Sequence, residues 1–141
     1  MGSRVFQIDD FGPLVPYTYE RARLAEAGIS LDEGFCETAE DVIAKAGDAE
    51  VFWLAWKPVI SRAILAELPK VRLVVRWGIG FEQIDLDAAT EFGIAVANAP
   101  TYGTEDVAEH TLALLLALER RIVEFDADMR KGGWKTPEAG S

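Results

Sequence analysis

Residues 76–85 read Arg76-Trp77-Gly78-Ile79-Gly80-Phe81-Glu82-Gln83-Ile84-Asp85, and they follow an apolar run. A strand ending in Gly-x-Gly exposes backbone N–H groups, and exposed N–H groups bind anions. The guest is either a pyrophosphate or a smaller anion such as a carboxylate. The pyrophosphate fingerprint needs a third glycine three residues after the second, and Gln83 stands there. It also needs an acid at the end of the next strand for a ribose hydroxyl. The segment in question, Ile94-Ala95-Val96-Ala97-Asn98, has none. A carboxylate is therefore the better guest for Gly78, Ile79 and Gly80, although the glycines are equally compatible with a plain tight turn between strand and helix.

The other chemically capable side chains are scattered. Lys57, in Ala55-Trp56-Lys57-Pro58, ends an earlier apolar run and offers a point charge to an anion, or is a solvated lysine. Trp56 either lines a pocket mouth or covers the sheet end. Arg76 either organises the glycine loop or pairs with Glu82. His110 is the one histidine and Cys36 the one cysteine, so neither a metal set nor an internal disulfide can be composed. No nucleophile elbow surrounds His110, which is read as a packing or hydrogen-bonding residue. No catalytic residue and no metal ligand are assigned.

The elements that must position these groups alternate along the chain. Strands are expected over 4–8, 29–35, 50–55, 71–76 and 94–97. Helices are expected over 17–27, 38–46, 61–68 and 85–92, with one long helix over 104–131. Thr38 with Asp41 forms a capping box, Ser61 and Asp85 are N-caps, and Gly28, Gly47 and Gly93 end their helices. Strands alternating with helices imply a parallel sheet covered on both faces. Five units without a sixth strand imply an α/β, flavodoxin-like sheet of order 2-1-3-4-5.

Composition narrows the function classes. The net charge is −10 and the pI about 4.5, which argues against nucleic acid and anionic membranes as partners. The most apolar stretch, 112–118, is too short to span a bilayer. The single cysteine and the direct entry into a strand-like run suggest a cytoplasmic protein. Gly2-Ser3 and Gly140-Ser141 read as cloning remnants.

The stretch RWGIGFEQIDLDAATEFGIAVANAP, followed by YGTEDVAEHTLALLLALERR, closely resembles the D-2-hydroxyacid dehydrogenase family, in its glyoxylate/hydroxypyruvate reductase or phosphoglycerate dehydrogenase-like branches. The order and spacing of Arg-x-Gly-x-Gly, Asn-x-Pro and Val-Ala-Glu-His carry the resemblance. It is strong over residues 51–134 and weak before them. Glu82-Gln83 replaces the commoner Asp-Asn.

The resemblance implies a substrate-binding half of an oxidoreductase. The domains would be a flavodoxin-like unit over 1–103, an interdomain-type helix over 104–131 and a flexible tail over 132–141. The Ile79 and Gly80 amides would hold the carboxylate of a small 2-hydroxy or 2-keto acid. Some relatives place a substrate-reaching arginine at the position of Lys57. Val107 matches a position that approaches the nicotinamide, or makes ordinary first-turn helix packing. The family's catalytic Arg, Glu and His match positions after residue 141, so the chain is expected to be truncated and inactive alone. It would bind no cofactor by itself, with NAD or NADP belonging to the full-length enzyme.

The helix core TLALLLAL is apolar around its whole circumference, which implies a homodimer through 104–131, by association or by exchange of the helix between protomers; the alternative is that the helix folds back and its charged ERRIVEFDADMRK end stays solvated. Two rival readings remain. One is a self-standing or engineered flavodoxin-like domain with a binding or folding role. The other is a flavin carrier, opposed by the lack of a Ser/Thr-rich phosphate loop in IDDFGPLVP.

Overall fold

The computed structural model describes residues 3–9 and 17–134. It divides into two compact units, 1–100 and 101–141. Most of the IDDFGPLVP connection, and the expected tail from 135 onward, lie outside the described residues.

The first unit is a five-stranded, all-parallel sheet of β1 (Arg4–Gln7), β2 (Ser30–Glu33), β3 (Val51–Leu54), β4 (Leu73–Arg76) and β5 (Ala95–Ala97), in the order β2-β1-β3-β4-β5. This is the expected order. The connecting helices are α1 (Thr18–Glu26), α2 (Ala39–Ala46), α3 (Arg62–Glu67) and α4 (Leu86–Glu91).

Strand side chains alternate between faces. Phe6, Phe52, Leu54 and Val74 enter the larger core, where they meet Val42 and Ala46 of α2, Ile64 and Leu65 of α3, and Ala88 and Ala89 of α4. Val5, Leu31 and Tyr17 form a second, smaller core on which Leu24 of α1, Val51, Trp53 and Trp77 pack. Tyr17 and Trp53 each bring a ring to 5.2 Å from that of Trp77.

Local chemistry fixes the helix ends. The Thr38 hydroxyl accepts from the Asp41 N–H while the Asp41 carboxylate accepts from the Thr38 N–H. The Asp85 carboxylate accepts from the Ala88 N–H at 2.9 Å. Gly28 and Gly93 both sit at φ +70, where the residues after them bond back to Leu24 and Ala89. The Ser61 side chain makes no capping bond, contrary to expectation; α3 starts from backbone bonding alone.

The helix expected over 104–131 is two helices, α5 (Thr104–Glu119) and α6 (Ile122–Met129). Arg121 breaks it, at φ 52 in the left-handed region. No glycine or proline marks the break. Arg121 instead forms a two-pronged ion pair with Glu124 at 2.8 and 2.9 Å and lies over the Phe125 ring, contacts that offset the cost of its backbone. No helix of the described residues is long and apolar enough to cross a membrane.

Candidate functional site

The carboxyl ends of parallel strands are where such sheets bind ligands, because the βα turns there direct N–H groups outward. At the end of β4 the chain is held on both sides. Toward β5, the Gly78 carbonyl accepts from the Ala99 N–H at 3.0 Å and the Ile79 carbonyl from the Asn98 carboxamide at 2.8 Å. Toward β3, Ile60 and Ile84 form a lone parallel bridge, with Ile60 N–H donating to the Gln83 carbonyl at 2.7 Å.

The anchoring sets where the amides point. In a trans peptide a carbonyl and the following N–H face opposite ways. The Gly78 and Ile79 carbonyls both bond the 98–99 segment, so the Ile79 and Gly80 N–H groups face away from it. Neither N–H has an acceptor among the described residues. The Gly78 N–H is engaged, donating to the Arg76 carbonyl at 2.9 Å. Two consecutive amides therefore remain open, and Gly78 contributes space instead of a donor.

That space belongs to Arg76. A Cβ at position 78 would lie 2.9 Å from the Arg76 Cζ, so any larger residue there displaces the guanidinium. Neither Gly78 nor Gly80 adopts a positive φ, so turn conformation does not demand them. Arg76 is only 7% exposed. Its Nε is buried without a hydrogen-bond partner, and among the described residues no carboxylate pairs with it. Glu82, the expected alternative partner, turns its carboxylate over Gly80. The Arg76 guanidinium faces the Trp56 ring at 5.6 Å from its centroid. A buried cation without a counter-ion is costly, and an incoming anion relieves that cost.

The remaining predicted residues are dispersed. Lys57 follows β3, but its ammonium lies 3.5 Å from the Glu37 carboxylate and over the Phe35 ring, both placed after β2 on the far side of β1 from β4. Val107 belongs to the second unit, exposed in the first turns of α5, and its carbonyl accepts from the Thr111 hydroxyl at 2.7 Å. His110 is also exposed on α5. Cys36 is fully buried, and burial pushes its thiol up, which makes it inert. No group of acids, histidines or cysteines that could hold a metal occurs among the described residues.

The glycine loop does not fit a pyrophosphate. Two open amides are too few for a diphosphate cradle, and Gln83 stands where the fingerprint has its third glycine. Arg76 and Asn98 are the residues of the candidate site that spacing alone left undefined. The first reads as the last residue of a strand and the second as part of a turn; only the fold shows what each holds.

The fold is an all-parallel α/β sheet, and at its carboxyl edge two amides and a guanidinium have no partner among the described residues. The family described as "D-isomer specific 2-hydroxyacid dehydrogenase, catalytic domain" matches residues 16–140, and the chain belongs to that family. It is 40% identical over 94 residues to D-3-phosphoglycerate dehydrogenase of Mycobacterium leprae, covering 67% of this chain and 18% of that enzyme. It is 39% identical over 95 residues to glyoxylate reductase of Aeropyrum pernix, covering 67% of this chain and 28% of that enzyme. The chain thus spans less than a third of either relative. In fold it is similar to D-lactate dehydrogenase of Aquifex aeolicus, solved with NAD and lactic acid, with a TM-score of 0.77 at 24% identity over 96% of this chain and 39% of that one.

Proposed function

We propose that this chain is the substrate-binding half of an NAD(P)-dependent D-2-hydroxyacid dehydrogenase. It holds the carboxylate of a small 2-hydroxy or 2-keto acid and does not turn it over alone. One observation carries the reading: the Ile79 and Gly80 amides have no acceptor among the described residues, and the buried Arg76 guanidinium, without an acidic partner among them, lies against Gly78 of the same loop.

In this reading the carboxylate accepts from the Ile79 and Gly80 N–H groups, and Arg76 supplies the compensating charge. Such charge-assisted bonds are about twice as strong as neutral ones. Gly78 keeps Arg76 close, and Asn98 keeps the Ile79 peptide facing the right way. Lys57 adds a weaker point charge once released from Glu37. Hydride transfer needs a nicotinamide and a proton donor at the substrate carbonyl. NAD or NADP would be held by a further domain, with Val107 offering it an apolar contact. The protein would be cytoplasmic.

A homodimer through residues 104–131 completes the proposal. The described residues of α5 and α6 leave Leu114, Leu118, Ile122 and Val123 exposed, more apolar surface than a lone helical hairpin leaves in water.

The test is an amide NMR titration of the whole chain with glyoxylate and hydroxypyruvate. Shifts concentrated on Ile79 and Gly80, with no oxidation of reduced NAD or NADP in a parallel assay, are expected. Shifts absent from this loop, or catalytic turnover, would overturn the proposal. The rival of a self-standing domain draws support from the sheet and core contained within residues 1–100, and it predicts no shift with either acid.

A further inference from the structure

The carboxyl edge of the sheet holds a second set of converging amides, and the chain fills this one itself. Asp9, just beyond β1, is only 4% exposed. Its carboxylate accepts from three consecutive N–H groups at the end of β3: Ala55 at 2.7 Å, Trp56, and Lys57 at 3.1 Å. The Gln7 carboxamide adds a fourth donor at 3.3 Å. Consecutive amides around one carboxylate form the same device that the β4 loop offers open.

A buried carboxylate needs such donors, but the turn it fixes is the one that carries Trp56. The Trp56 side chain is 64% exposed, so packing alone holds it loosely. Its ring nevertheless lies against Arg76, and Arg76 in turn lies against Gly78. We infer that Asp9 is a positioning residue for the anion site, fixing Trp56 over the Arg76 guanidinium so that the cation faces the open amides; the inference rests on the carboxylate-binding reading of the β4 loop. Without the Asp9 carboxylate the 55–57 turn loses its anchor, the ring leaves the guanidinium, and Arg76 turns to water.

Asp9→Asn is the discriminating change, because it keeps the shape but points an NH2 group at backbone donors. It is made in the whole chain beside Trp56→Ala and the double variant. Two readouts are taken: the Arg76 Nε–H ring-current shift without ligand, and the glyoxylate affinity from the Ile79 and Gly80 amides. Asp9→Asn is expected to erase the ring-current shift and weaken glyoxylate by about tenfold. The double variant should bind no more weakly than Trp56→Ala alone, since both remove one contact.

A purely structural Asp9 would lower the melting temperature and leave both readouts unchanged, which would overturn the inference, as would additive losses in the double variant. If Asp9→Asn does not fold, Trp56→Ala carries the test, and unchanged glyoxylate affinity there overturns it. A parent protein whose loop ignores glyoxylate overturns the reading of the β4 loop, while the ring-current shift still decides for or against the hold of Asp9 on Trp56.

Discussion

The Asn98 carboxamide donates to the Ile79 carbonyl at 2.8 Å, joining the turn after β5 to the turn after β4. The bond fixes a peptide plane, and through that plane the direction of the Gly80 N–H. Asn98 is exposed, so the bond adds little to global stability. Asn98→Ala is expected to lower glyoxylate affinity by about three- to tenfold, the worth of one net hydrogen bond. The melting temperature should stay near that of the parent. The NMR titration described above checks it, and unchanged affinity would remove Asn98 from the site.

The two glycines of the loop should respond differently to the same change. A methyl at 78 meets the guanidinium of Arg76, a side chain held buried, whereas a methyl at 80 meets only the tip of the exposed Glu82. Gly78→Ala is expected to cost about 1–3 kcal/mol by overpacking. Gly80→Ala should lie within about 0.5 kcal/mol of the parent. Urea unfolding measures both, and the reverse order would contradict the packing described for Arg76.

The sheet order was legible because apolar runs alternate with capped helices, and each cap is written locally: Thr38 with Asp41 three residues on, Asp85 before Ala88, Gly28 and Gly93 after their helices. The break at Arg121 was not legible, since the contacts that offset it come from Glu124 and Phe125 in a stretch whose composition suits a continuous helix. The site divides in the same way. The glycine pair is a sequence signal. Asp9 has its partners 46–48 residues away, and only the adjacency of β1 and β3 reveals them. Lys57 stood out as a cation at a strand end, yet the partners that occupy it, Glu37 and Phe35, follow a different strand.

Acid should weaken the fold partly through the α2 cap. Backbone N–H groups of Glu37 and Thr38, and then Lys45, hold the Asp41 carboxyl below the usual carboxylate range. The folded-state value lies below the unfolded one, so the stabilisation is complete above the unfolded value near pH 4. It is lost as pH falls through the folded value. Asp41→Asn should therefore be less stable than the parent at pH 7, and the gap should narrow at pH 3. Urea midpoints at the two pH values measure it. A gap that widens in acid would show that the cap is not what titrates.

Self-association should run through the α5–α6 hairpin and not through the sheet. Leu114, Ala117, Leu118, Val123 and Ala127 line one apolar groove, in which Leu118 is 74% and Val123 77% exposed. Each leucine covered on pairing contributes about 1.5–3 kcal/mol. Leu118→Glu is expected to shift sedimentation equilibrium toward monomer by about tenfold or more in dissociation constant. Val59→Glu, at another exposed apolar position, in the first unit, should leave it unchanged. Because the drive is apolar, raised salt should leave the pairing largely unchanged. Dissociation by salt alone, or by Val59→Glu as readily as by Leu118→Glu, would place the interface elsewhere.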